Sequence, residues 1–283
     1  MSKKVVVQAW TQQARNQLQT DRGGFWGVGD LLRGSNVLFD ACEALDVDYM
    51  LDIKGHPVSQ IFSPALDVSG SRYDEVEFLV FESTSQVKDH LVDALKTTNV
   101  LTINTNGGPC WPDESSSRWK AFIKSIISPN ILFEAHLSRV LPKRPYSAFH
   151  FRLGDAGLVR GEQSELRDAI EALERYYEPS DVVITDSIAL KKYIKSCKPG
   201  VLVSDAEPVH TGLSSDVDTI AQTMSDFFLI AGARAAKSYS VYGGPSGFVV
   251  SAARIFDVPL EFIDRKSVSL STRIVRRLAG LLR

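Results

Sequence analysis

No two cysteines lie close together. Cys42, Cys110 and Cys197 are widely separated and form no CxxC pair. That pattern argues against a disulfide framework or a cysteine zinc site and fits a reducing compartment. No apolar run approaches the roughly 20 residues that a membrane span needs. The opening stretch MSKKVVVQAW breaks at Gln8, too early for a signal-peptide core, and reads as a first strand. A formal net charge of -2 leaves no basic excess for non-specific nucleic-acid binding. The histidines, His56, His90, His136, His150 and His210, lack metal-ligand spacing, and no nucleophile elbow is present. The expectation is a soluble, cytoplasmic protein without a metal or a nucleic-acid partner.

What is present is core-forming material in a repeating order. The 44% hydrophobic content suits a globular protein. Strand-like runs fall at Val5–Val7, Tyr49–Ile53, Val76–Phe81 and Val100–Asn104. The helical patterns among them cover Asp30–Asp46, Gln86–Lys96 and Glu114 to about Val140. Leu141-Pro142-Lys143-Arg144-Pro145 then interrupts the rhythm as a linker would. Beyond it, strands are expected at Ala148–Arg152, Val182–Thr185, Val201–Ser204, Tyr239–Tyr242 and Leu260–Ile263. Helices are expected near Glu162–Tyr177, Ile188–Ser196, Thr219–Ala236 and Gly247–Phe256. Such alternation predicts an α/β fold of two Rossmann-like domains, with parallel sheets facing across a cleft. The expected domains are 1–142 and 143–264, followed by a basic amphipathic helix over 265–283. In that tail Ile274, Val275, Leu278, Leu281 and Leu282 alternate with Arg273, Arg276, Arg277 and Arg283, and no acidic residue occurs. Two readings stay open: a helix packed on the body, or peripheral contact with anionic lipid at the inner face of a membrane.

Ligands of parallel α/β sheets bind at the carboxyl ends of strands, and several polar clusters occupy such ends. In Gly23-Gly24-Phe25-Trp26-Gly27-Val28-Gly29-Asp30-Leu31-Leu32-Arg33-Gly34 a glycine loop opens a helix, but GxGxxG fails at its third glycine and no Walker lysine follows. The loop serves as turn and cap or lines the site through Gly27, Gly29 and Arg33. Phe149-His150-Phe151-Arg152-Leu153-Gly154-Asp155 ends a strand on an imidazole, a guanidinium and a carboxylate. Arg152 can clamp a phosphate with two N–H groups, and His150 can donate to it; an ion pair between Arg152 and Asp155 is the purely structural alternative. Val182-Val183-Ile184-Thr185-Asp186-Ser187 ends in groups that either cap a helix or read a nucleoside. Tyr242-Gly243-Gly244-Pro245-Ser246-Gly247-Phe248 puts a glycine turn before a helix, whose first N–H groups suit a diphosphate. Asp46-Val47-Asp48 and Asp216-Val217-Asp218 have DxD spacing, but they precede a strand and a helix respectively instead of following a strand.

Taken together and in order, these segments resemble the fucosyltransferase superfamily that carries an His-x-Arg motif, which includes nodulation, core α1,6- and protein O-fucosyltransferases. HFRLGD resembles its His-x-Arg segment, VVITDS the following strand, DFFLIAGARAAKSYSVYGGPSGFVVSAARI its last motif and GFWGVGDLLRG its N-terminal glycine loop. The resemblance implies a GT-B-type enzyme: GDP-fucose in the second domain, a glycan acceptor mainly in the first, and an inverting transfer without metal. By the same resemblance Arg152 holds the diphosphate and His150 supports the nucleotide. Asp186 and Ser187 lie near the ribose or guanine, Asp226 holds the surrounding loop, and Ser246, Gly247 and Phe248 cradle phosphate. Leu153 departs from the pattern, since several relatives have a second arginine there. Asp30 is the candidate base, with Glu82 a weaker one on the acceptor side. Another GDP-sugar, a non-catalytic nucleotide or glycan module, and a Rossmann oxidoreductase are the competing readings.

Overall fold

The computed structural model describes residues 3–11, 25–63, 76–81, 83–106, 115–154, 163–206 and 216–265. Glu82, Asp155, Cys110 and the tail 266–283 lie outside them. The chain divides into two compact units, Met1–Arg139 with Val209–Ala221, and Val140–Pro208 with Gln222–Arg283.

The first unit holds a parallel sheet of β1 (Val5–Ala9), β2 (Asp48–Asp52), β3 (Glu77–Leu79) and β4 (Val100–Thr105), in the order β2-β1-β4-β3. Its helices are α1 (Val28–Leu45), α2 (Thr84–Ala94), α3 (Ser117–Ile126) and α4 (Ile131–Val140). One face of the sheet is sealed where Val6 and Ile103 meet Val37, Leu38, Ala41 and Cys42 of α1 and Val87 and Leu91 of α2. Burial raises the Cys42 thiol to about 12, so it is a core filler and not a thiolate. The helical pattern expected from 114 to 140 is in fact two helices. Pro129 cannot continue a helix, and Asn130 restarts one by accepting from Phe133 N at 2.9 Å.

Placement of α1 depends on Gly34. A Cβ there would come within 2.1 Å of the Thr105 carbonyl oxygen at the end of β4. The close helix–strand approach that a dinucleotide fingerprint assigns to its third glycine is therefore made here, two residues later in the chain. A buried polar hub completes the contact: Gln8 Nε2 donates to Leu31 O at 3.2 Å and Thr105 O at 3.1 Å, and Tyr49 donates to Gln8 Oε1 at 2.6 Å.

The second unit holds β5 (Ser147–Arg152), β6 (Asp181–Thr185), β7 (Leu202–Val203), β8 (Ala236–Ser240) and β9 (Leu260–Ile263), all parallel in the order β7-β6-β5-β8-β9. Its helices are α5 (Gln163–Tyr176), α6 (Ile188–Cys197), the later turns of α7 (Val217–Ala231) and α8 (Gly247–Ile255). Side chains alternate along β5. Phe149 and Phe151 join Val183 and Tyr239 in a core with Ala169, Ala172 and Leu173 of α5 and Leu190 and Ile194 of α6. Each fully buried phenylalanine there contributes roughly 1.5–3 kcal/mol. His150 and Arg152 consequently take the other face.

β8 starts three residues earlier than the expected Tyr239–Tyr242. Lys237 disguises its beginning. That lysine is tolerated inside the strand because its ammonium reaches Asp181 at 2.8 Å and donates to Tyr176 O at 2.7 Å. Tyr242 is not in the strand but in the turn that follows, where its N–H donates to Ser240 Oγ at 3.1 Å and Gly243 has φ +76°.

Candidate functional site

The carboxyl edge of the second sheet gathers most of the polar residues singled out above. Arg152, the last residue of β5, donates from Nη1 to Asp186 Oδ2 at 2.7 Å, and its side chain keeps 30% of its exposure. The same carboxylate accepts from Leu153 N at 2.8 Å and Gly154 N at 3.0 Å. Asp186 follows β6, which is hydrogen-bonded to β5 in register, so one carboxylate fixes both the guanidinium and the backbone that leaves the strand. Among the described residues the ion partner of Arg152 is thus Asp186; the expected alternative, Asp155, lies outside them. Asp186 is committed to this clamp through both oxygens. A guanidinium has five N–H donors, and the bond to Asp186 orients the others instead of exhausting them.

Gly154 follows at φ +79°, and a Cβ on it would meet the Tyr242 hydroxyl at 1.7 Å. The turn after β8 therefore rests directly on the turn after β5, a packing that only glycine allows. The signal for this was present in the LGD of the motif; the aromatic partner, 88 residues away by the numbering, was not legible.

His150 is 5% exposed. Burial chiefly, and the neighbouring Arg152 charge in addition, lower its pKa to about 3. It is a neutral imidazole at physiological pH and has no ionic attraction for phosphate. Its ring stacks on Phe248, with centroids 6.4 Å apart and planes at 28°. Phe248 in turn meets Phe227 of α7 edge-on at 5.4 Å. The Phe248 side chain accordingly packs inward, and any phosphate contact at that residue falls to the backbone.

Ser246 caps α8, its hydroxyl accepting from Val249 N at 3.4 Å, and Gly247 is the first helical residue. Ser187 does the same for α6, accepting from Leu190 N at 3.2 Å. The hydroxyl oxygens of both serines hold helix starts, which for Ser187 is the capping alternative the sequence offered. Asp226 is buried and accepts from Ser204 Oγ, which also accepts from Ala206 N at 3.2 Å. Lys191 Nζ donates to Ala206 O. Asp226 thus fastens the segment that follows β7 from inside. Burial raises its pKa to about 7, against the pull of the Ser204 hydrogen bond and the Lys191 charge. Ser204 and Lys191 were not singled out in the sequence, because each sits in an unremarkable amphipathic context and acts only through a distant partner.

The remaining candidates belong to the first unit. Gly27 is the N-cap of α1, with its carbonyl accepting from Asp30 N at 2.9 Å and Leu31 N at 3.1 Å; Gly29 lies buried in the first turn. Arg33 donates to Asp30 Oδ1 at 3.0 Å and to Asn106 O at 2.8 Å. Asp30, the candidate base, is therefore held as the acidic half of an ion pair. Of the two DxD pairs, Asp46 and Asp48 end α1 and begin β2, while Asp216 accepts from Thr219 N at 2.8 Å before α7. Among the described residues, no group of three or more His, Cys, Asp or Glu could hold a metal ion. None of the described helices is long and apolar enough to cross a membrane.

No protein-family model and no curated protein matches the sequence. Solved structures do match in fold. The fucosyltransferase NodZ from Bradyrhizobium is similar with a TM-score of 0.56 and 13% identity, over 93% of this chain and 96% of that one. A NodZ α-1,6-fucosyltransferase soaked with GDP-fucose gives a TM-score of 0.52 and 15% identity, over 92% and 95%. An arginine-to-lysine mutant of Arabidopsis thaliana FUT1 in complex with GDP gives 0.56 and 10%, over 92% of this chain and 70% of that one. The shared feature is the GT-B type of α/β fold, two parallel sheets with their helices.

Proposed function

We propose that this protein is a GDP-sugar-dependent glycosyltransferase that moves fucose from GDP-fucose to a glycan hydroxyl, with inversion and without a metal. The observation that carries the reading is Arg152, a partly exposed guanidinium held by Asp186 at the carboxyl end of the central strand of a parallel sheet. Support comes from the ligands of the similar folds, since GDP and GDP-fucose accompany the FUT1 and NodZ structures.

The chemistry follows from charge. Departure of the nucleotide leaves negative charge on the β-phosphate while the sugar becomes cationic. Arg152 stabilises that charge with the N–H groups that Asp186 leaves available, and the first N–H groups of α8 behind Ser246 add a partial positive end. His150, being neutral, offers a hydrogen bond to the nucleotide and not a charge. Asp186 acts as a positioning residue for Arg152. Asp226 holds the surrounding segment. Asp30 would accept the acceptor's proton, and Arg33 already engages its Oδ1.

That pairing favours one second reading, a module that binds nucleotide without transfer. Turnover with GDP-fucose, GDP-mannose and UDP-sugars in EDTA separates the two. The transferase reading predicts donor hydrolysis or transfer from GDP-fucose that persists in EDTA. Arg152→Ala should lower it on the order of 100-fold or more, and Arg152→Lys should fail to restore it because lysine lacks the fork. GDP binding with no release of sugar from any donor would establish the binding module instead.

A further inference from the structure

Two buried polar atoms without partners among the described residues sit on neighbouring strands of the second sheet. Among the described residues His150 Nδ1 and Ser238 Oγ have no hydrogen-bond partner, and the two residues are 5% and 0% exposed. They are in register on hydrogen-bonded parallel strands, β5 and β8, so both side chains leave the same face of the sheet. On the other side of His150 the in-register neighbour is Ile184, which is apolar. Ser238 thus carries the one polar side chain beside the imidazole in its own row. The residues of β8 on this face, Ala236, Ser238 and Ser240, are small, so nothing bulky separates the pair. Buried polar atoms are almost always paired, and two orphans this close are each other's natural partners.

We infer that Ser238 is a positioning residue for His150: its hydroxyl donates to His150 Nδ1 and holds the imidazole in the Nε2–H tautomer, so that the remaining ring proton is offered to an acceptor oxygen or nitrogen of the bound nucleotide. The nucleotide half of this statement rests on the function proposed above; the Ser238–His150 pairing does not. Neighbouring strands are about 4.8 Å apart, and a serine hydroxyl reaches an in-register imidazole by moving between staggered χ1 wells.

The direction of the bond follows from satisfiability. Were Nδ1 the donor, the Ser238 proton would need a second acceptor, and the hydroxyl has none among the described residues. With Ser238 donating, only oxygen lone pairs stay unused, and these are cheaper to leave unmatched than a buried O–H. Phe248, stacked on the other face of the ring, restricts its rotation. Because His150 is neutral, its single proton must reside on one nitrogen, and the hydroxyl decides which.

The test is the histidine tautomer, read from 15N shifts of ring-labelled protein with and without GDP, the His150 signals being assigned by their loss in His150→Gln. In wild type the inference predicts a protonated Nε2 and an acceptor-type Nδ1. Ser238→Ala should shift the population toward Nδ1–H or a mixture and weaken GDP binding several-fold. Ser238→Thr, which keeps the hydroxyl, should restore both. Loss of this bond should lower the melting temperature modestly, and a cooperative melting transition well above the assay temperature for Ser238→Ala excludes unfolding as the cause; Ser238→Cys serves if that variant fails to fold. A tautomer indifferent to the hydroxyl, both free and with GDP, overturns the inference while leaving the role of Arg152 intact. Failure of wild type to bind GDP removes the nucleotide half, and the ligand-free tautomer then decides the pairing alone.

Discussion

At the scale of single residues, the site combines groups whose burial pushes them in opposite directions. His150 has a folded pKa of about 3 against an ordinary 6.5, so the unfolded chain binds more protons between those values and acid destabilises the fold there. Asp226 has a folded pKa of about 7 against 3.8, so the folded chain binds more protons and rising pH destabilises it through that window. Between about pH 4 and 6.5 the two slopes oppose each other in the wild type. Asp226→Asn keeps the acceptor for Ser204 but removes one slope. Denaturant unfolding across pH 4–8 should show the variant gaining on wild type by about 1 kcal/mol or more as pH rises, and losing stability more steeply on acidification. Parallel curves would mean that Asp226 is ionised in the native state. That Arg152 and His150 share one face was legible from strand alternation alone. Asp186 as the partner of Arg152 was not, because local spacing favoured the nearer Asp155. An ion pair across 34 positions needs the sheet order before it can be seen.

At the scale of elements, the strands with β-branched runs, such as Val5-Val6-Val7 and Val182-Val183-Ile184, announced themselves. β8 did not. One buried row is Ala236, Ser238 and Ser240, and its other row contains Lys237, whose charge is neutralised by Asp181 at the opposite end of the sheet from the site. The misplaced strand hid the Ser238–His150 register and so the whole inference about the tautomer. Helix α1 teaches a different lesson. A fingerprint that fails at position 32 is not evidence that the helix stands off the sheet, because Gly34 supplies the close approach. Gly34→Ala would drive a methyl into the Thr105 carbonyl. The expected cost is roughly 1–3 kcal/mol of overpacking strain, read as a lower melting temperature. A Gly34→Ala variant as stable as wild type would show that α1 can lift from β4 without penalty.

At the scale of the whole molecule, two parallel sheets of four and five strands carry different parts of the candidate chemistry. The groups suited to a nucleotide diphosphate lie in the second unit, on β5, after β6 and at the start of α8. The candidate base and its arginine lie on α1 of the first. Two domains were expected from the rhythm of strands and helices, whereas the placing of donor groups in the second was expected only from the family resemblance; the similarity in fold to solved fucosyltransferases extends over nine-tenths of the chain. The acceptor was never legible, because no residue pattern in the first unit names a glycan. The donor side is therefore where the proposed function is decided, and calorimetric titration of GDP into wild type and Arg152→Ala, with EDTA present, tests it most directly. It predicts saturable binding to the wild type and at least a tenfold weaker Kd for the variant, which corresponds to about 1.4 kcal/mol. Equal affinity of the two proteins for GDP would contradict the assignment of Arg152 as the diphosphate clamp.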